Sequence, residues 1–186
     1  GKVPGYPKRA VDVLPCGVAT DRFRPLDRPQ ARAELGLQPD GRYLLFPADP
    51  ARVEKRFDRA QAIAARCGAK LLTLGSVDPQ QVPLWVNAAN AVVVPSDSEG
   101  FGLAVLEALA CEVPVICAPT GVHDAATRGI VGADCLPYNE QAWSELLEVS
   151  LGDANRRIVS RERADQFSAQ RMAERLLAAW RTHLAS

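Results

Sequence analysis

The chain has 186 residues, with 47% apolar and 24% charged positions, and its 22 Lys and Arg balance 22 Asp and Glu. That apolar content excludes disorder as the main state, and no run approaches the roughly 20 apolar residues that span a bilayer. Zero net charge argues against the overall basic excess of a nucleic-acid binder, while leaving room for a local anion site. The length fits a single domain over 1–186, at roughly 100–200 residues per domain. Gly1–Arg9 is polar with two prolines, so no secretory leader is expected, and the absence of Met at position 1 suggests a part of something longer. Five cysteines, an odd number without C-x-x-C spacing, read as reduced core residues in a cytoplasmic setting.

Residues 1–40 hold six prolines and little periodicity, so they read as an entry segment with one strand, Val11–Leu14, and a short helix near Pro29–Leu35. Tyr43–Phe46 is an apolar run between Gly41 and Pro47 and predicts a buried strand. Arg56–Cys67 repeats its apolar residues at helical spacing. Strands follow at Leu71–Leu74 and Ala91–Val94, around a short helix at Val82–Ala89. Phe101–Cys111 reads as a helix, Val113–Ala118 as a strand, His123–Arg128 as a helical turn and Ala133–Leu136 as a strand. Gln141–Leu151, Ala154–Asp165 and Ser168–Leu184 read as helices. The last, within the terminal segment 166–186, has Ser168 as N-cap and an apolar face of Met172, Leu176, Leu177, Trp180 and Leu184. The arginines of the closing helices (Arg156, Arg157, Arg161, Arg163, Arg171, Arg175 and Arg181) read as solvated faces.

Strands alternating with helices imply βαβ units, and strands apolar throughout imply cover on both faces. The class is α/β: a Rossmann-like, doubly wound parallel sheet. Ligands of such sheets bind beyond the carboxyl ends of the strands.

Past the strand at Ala91–Val94 runs Pro95-Ser96-Asp97-Ser98-Glu99-Gly100-Phe101-Gly102-Leu103, leading to Glu107. Glycines at a helix start let an anion approach the free amides. Glu107 is the only charge within Phe101–Cys111 and must be paired, exposed at a cleft or bonded to a ligand. A carboxylate can accept two charge-assisted bonds from adjacent ribose hydroxyls. If the intervening residues are helical, Glu99 lies about 12 Å from Glu107 at 1.5 Å per residue. The bland readings are a structural carboxylate held by an arginine and a plain glycine turn. A dinucleotide fingerprint fails, since no third glycine follows Gly100-Phe101-Gly102, and no P-loop is present.

This segment resembles the E-x7-E region of GT-B fold glycosyltransferases of the large family-4 group, glycosyl transferases group 1. The likeness extends to Val11–Val18 with Phe23-Arg24-Pro25, to Leu35-Gly36-Leu37, to Asn87–Asn90 with Pro95-Ser96, and to Pro114-Val115-Ile116 with Gly121 and Phe167-Ser168. It implies the carboxyl-terminal, donor-binding half of such an enzyme, with the amino-terminal acceptor domain as missing partner. The implied activity is transfer of a sugar (hexosyl type, with retention) from a nucleoside-diphosphate sugar, with no metal cofactor. By the same resemblance Glu107 would hold the ribose and Glu99 the transferred sugar, as the catalytic residue. The amides of Gly100, Phe101, Gly102 and Leu103 would meet the diphosphate and sugar, and Lys55 with Arg52 the phosphates. Gly75, Ser76 and Val82 would lie near the base.

Departures are Cys16 for the usual Asn, Ala19 for Asp, Ala48-Asp49 where an Arg is usual, and Gly121-Val122 for a Gly-Gly pair. His123 could face the donor, though a lone histidine is more often a cap or a surface residue. The alternatives are another GT-B enzyme, such as a sugar-nucleotide epimerase or phosphorylase, or a non-catalytic docking module. Arg52 and Lys55 pointing away from the glutamates would favour the module. The isolated fragment is expected to bind nucleotide and turn over poorly.

Overall fold

The computed structural model describes residues 13–184. A five-stranded parallel sheet runs through the molecule in the order β2-β1-β3-β4-β5, formed by β1 (Tyr43–Phe46), β2 (Lys70–Thr73), β3 (Ala91–Val94), β4 (Val115–Cys117) and β5 (Ala133–Cys135). Registers set Tyr43 opposite Lys70, Leu44 opposite Ala91, Val92 opposite Val115 and Val115 opposite Ala133.

Period-2 alternation splits the strands between two cores. Leu44, Phe46, Val93 and Ile116 pack with Ala60 and Ile63 of α2 (Phe57–Arg66) and with Trp143 and Leu147 of α6 (Glu140–Leu151). Leu45, Val92, Val94 and Cys117 pack with Val105, Leu106 and Leu109 of α4 (Leu103–Ala110) and with Val86 of α3 (Val82–Ala88). Both strand faces are covered, which is why these runs are apolar throughout. The remaining helices are α1 (Arg28–Glu34), α5 (His123–Thr127), α7 (Arg161–Gln166) and α8 (Ala169–Leu184).

Strand order places the site. β1 leads outward to β2 on one side, and β3 returns on the other. The chain after β1 and the chain after β3 therefore part toward opposite faces, leaving a crevice at the carboxyl ends of these neighbours.

Several expectations are corrected. The helix expected over Ala154–Asp165 begins only at Arg161, and the residues before it run irregularly beneath the end of α4. Tertiary bonds hold them there: Ile158 N–H donates to Glu112 O at 3.0 Å, and the Ser160 hydroxyl donates to Leu109 O at 2.7 Å. The arginines of this stretch are likewise not simple solvated faces. Arg157 donates to Cys111 O, Leu26 O and Asn87 Oδ1, Arg161 to Phe23 O and Ala110 O, and Arg163 to Ala125 O. The bonds to Leu26 and Phe23 fasten the entry segment, which also meets the junction of α7 and α8 through Val18 N–H to Phe167 O and Ala169 N–H to Val18 O, each 2.8 Å.

Val11 and Asp12 of the expected first strand lie outside the described residues, and Val13 and Leu14 are not in a strand. Ser168 does cap α8, its hydroxyl accepting from Arg171 N–H at 3.3 Å. Met172, Leu177 and Trp180 of that helix are exposed, so they form no part of the core, and the Leu184 side chain lies outside the described ones. All five cysteines are free, and Cys67, Cys111 and Cys117 are buried.

Candidate functional site

A cleft of about 390 Å³ opens at the carboxyl ends of β1 and β3. Phe46, Pro47 and Ala48 form one wall, Val94 and Ser96 the floor, and Glu99, the Gly100–Leu103 turn, Ala104 and Glu107 the other wall. Arg52 and Lys55 close the rim. Of the residues singled out from sequence, Arg52, Lys55, Glu99, Gly100, Phe101, Gly102, Leu103 and Glu107 thus share one cavity. Gly75, Ser76 and Val82 are not in its lining; Gly75 abuts Asp49 and Pro50 of the loop after β1.

The anion-facing part of the site is a bare helix end. Gly102 precedes α4 at φ 104°, and no side chain caps it. The first amides of a helix have no intrahelical partner, and the helix dipole adds positive potential there. Gly102 is glycine for a steric reason as well: a methyl group on it would sit 2.5 Å from Cδ2 and Nε2 of His123. A methyl on Gly121 would meet Phe101 O at 2.3 Å, the same oxygen that accepts from Val122 N–H at 2.8 Å. The Phe101 ring leans on Phe167, with centroids 6.5 Å apart, and pins the turn from behind. By contrast, a methyl on Gly100 would meet nothing within 4 Å.

The helix of this segment begins at Leu103, not Phe101, so Glu99 sits in the turn. The axial spacing of two glutamates on a continuous helix therefore does not hold, although both line the cleft. The Glu107 carboxylate accepts no hydrogen bond and forms no ion pair among the described residues. Its burial pushes the carboxyl up to about 7, against the opposing charge of Arg22. Glu99 differs: its Oε2 lies 2.6 Å from Lys55 Nζ, and the two side chains are only 10% and 13% exposed.

Lys55 is aimed by the short 3-10 turn Val53–Lys55, which Arg56 ends in the left-handed conformation at φ 58°. This turn is bolted to the loop after β3. Asp97 N–H donates to Glu54 O at 3.0 Å, its carboxylate pairs with Arg56 at 3.0 Å and Arg59 at 2.7 Å, and Arg59 also donates to Pro95 O. Arg52, beside them, pairs with Glu54 at 2.6 Å, both side chains exposed.

His123 is neither a cap nor a surface residue. It is fully buried under Gly102, with Nδ1 2.8 Å from Ala118 O. That contact assigns the proton to Nδ1, and Nε2 has no hydrogen-bond partner among the described residues. Burial holds the ring below its ordinary pKa, hence neutral. The bolt through Asp97, Arg56 and Arg59 was not foreseeable from sequence, because it joins residues 41 positions apart through a left-handed arginine.

Residues 53–167 match the family model described as glycosyl transferases group 1. A protein of Frankia alni described as D-inositol 3-phosphate glycosyltransferase is 35% identical over 161 residues, 66% of this chain and 40% of its own length. A Mycobacterium leprae protein of the same description is 34% identical over 209 residues, 92% of this chain and 49% of its own. This chain therefore spans about half the length of the curated relatives it matches.

Among solved structures, sucrose-phosphate synthase of Thermosynechococcus elongatus superposes with TM-score 0.70 at 24% identity, covering 92% of this chain and 52% of that one. The C-terminal domain of a glycosyl transferase group 1 family protein from Francisella tularensis gives 0.61 at 20% identity, covering 83% and 95%. The fold is that of GT-B glycosyltransferases, and the chain belongs to the glycosyl transferases group 1 family.

Proposed function

We propose that the cleft binds a nucleoside-diphosphate sugar and that the chain is the donor-binding domain of a retaining, hexosyl-transferring enzyme. One observation carries this: Lys55, Glu99, the uncapped amides before α4 and Glu107, whose carboxylate has no hydrogen bond among the described residues, face a single cavity at the switch point of the sheet. Glu107 offers an open carboxylate for a vicinal diol, gaining bonds that would favour its ionised form. The amides of Phe101, Gly102 and Leu103 suit a phosphate. Lys55 and Arg52 would stabilise the charge that develops on the leaving diphosphate, so no metal enters the reading. Glu99 would meet the sugar.

Lys55 points at the glutamate turn, which weighs against a docking module. Since the chain spans about half of its relatives, the reading assigns the acceptor to a second domain. Five free cysteines suit a reducing, cytoplasmic setting.

Calorimetry with UDP, GDP and ADP tests the reading. Binding of at least one, lost in Glu107→Ala with the fold intact, supports it; a chain that binds none of them refutes it.

A further inference from the structure

Among the described residues two cations line the cleft, and both are already engaged. Arg52 is held by Glu54 at the exposed rim, where water competes easily. Lys55 is held by Glu99 at 2.6 Å, with both side chains largely withdrawn from solvent. A diphosphate entering the cleft therefore competes with Glu99 for the Lys55 ammonium. Removing one partner of a buried pair leaves the other charge uncompensated, which is costly. Glu99 then needs replacement donors, and with the turn amides facing the phosphate its surroundings offer few others: Gly100 carries no side chain and His123 Nε2 carries no proton. A ligand that brings hydroxyls to Glu99 along with phosphates for Lys55 avoids that cost, whereas a bare diphosphate does not.

The loops can withstand the exchange. They are joined independently of the pair by Asp97 N–H to Glu54 O and by Arg56 and Arg59 on the Asp97 carboxylate. Lys55 can leave Glu99 without the two loops separating.

We propose that the Lys55–Glu99 pair is an exchange latch by which the cleft prefers a diphosphate still carrying its sugar over the spent nucleoside diphosphate. The inference rests on the donor reading above and adds to it the discrimination between substrate and product. The pair re-forms as the sugar leaves Glu99, and this helps to expel the diphosphate.

The test uses the full chain in calorimetry, with inorganic pyrophosphate, the nucleoside diphosphate that binds among UDP, GDP and ADP, and glucose and mannose conjugates of that nucleotide. Glu99→Gln removes the competing charge and nearly keeps the volume. It should tighten pyrophosphate and the nucleoside diphosphate by about tenfold or more and abolish the preference for the conjugate. Unchanged or weaker diphosphate binding in a folded Glu99→Gln overturns the latch. Should that variant not fold, the wild-type Lys55 ammonium resonance, assigned by its loss in Lys55→Arg, gives the second readout. It should shift on adding pyrophosphate, and a resonance that stays in place overturns the latch. No binding of any nucleotide by wild type sinks the donor reading itself. Nucleotide binding that Glu107→Ala abolishes but Glu99→Gln leaves unaltered sinks only the latch.

Discussion

Two groups of cations in this molecule do opposite work. Beneath the end of α4, Arg157 and Arg161 are spent on backbone carbonyls of Leu26, Cys111, Phe23 and Ala110. At the cleft, Lys55 and Arg52 are spent on carboxylate side chains. A carbonyl in the chain's own path is a fixed acceptor, and the guanidinium that meets several of them becomes part of the frame. A side-chain carboxylate is a replaceable partner, and a cation held by one can pass to another anion. Between these two groups the type of acceptor, more than the type of cation, separates scaffold from site, whereas Arg56 and Arg59 become part of the frame by sharing one carboxylate, Asp97.

The sharpest way to break this contrast is Arg157→Ala. It removes three bonds from a half-buried guanidinium and should cost about 4 kcal/mol in denaturant unfolding, with nucleotide binding retained in the folded fraction. A loss below about 1 kcal/mol would place Arg157 with the exchangeable group.

Next is Glu107→Gln. The wild-type carboxyl is raised from its ordinary 4.5 to about 7 by burial. The folded state therefore holds the proton that the unfolded chain releases, and stability falls as pH rises from about 4.5 to about 7. At about 1.4 kcal/mol per unit the loss is about 3 kcal/mol. The variant should be the more stable at pH 8, with the difference fading toward pH 4. His123, held below its usual pKa, contributes the opposite slope in both proteins, so the difference between them isolates Glu107.

Gly102→Ala should cost about 2 kcal/mol and weaken pyrophosphate binding, because a left-handed backbone and a buried ring both oppose the methyl. The smallest effect on stability is expected for Gly100→Ala, within about 0.5 kcal/mol, since no atom of the described residues beyond its chain neighbours lies within 4 Å of the added methyl. If it nonetheless weakens pyrophosphate by calorimetry, that glycine is kept clear for a ligand and not for the fold.

Legibility in the sequence followed the range of the forces. β1 and β3 match their expected bounds because an apolar run stopped by Pro47 or Pro95 needs only local information. The α/β class follows from the same runs. The glutamate turn was legible because its glycines and its one charge in an apolar helix conflict with a plain core.

What failed depends on distant partners. Residues 154–160 are expected to be helical, yet Glu112 O and Leu109 O capture Ile158 and Ser160. Arg157 looks like a surface residue until the carbonyls it meets are known. His123 is a lone histidine on paper, and only the fold brings Gly102 over its ring.

That last contact carries an evolutionary consequence. Ring and glycine occupy one volume, so position 102 cannot drift alone: a larger residue there needs a smaller one at 123 and a backbone moved out of the left-handed region. Across a future alignment the two columns should therefore change together. A side chain at the start of α4 is expected only in lineages that have lost the imidazole and also moved residue 102 out of the left-handed region, and with it a reshaped floor for whatever anion rests there.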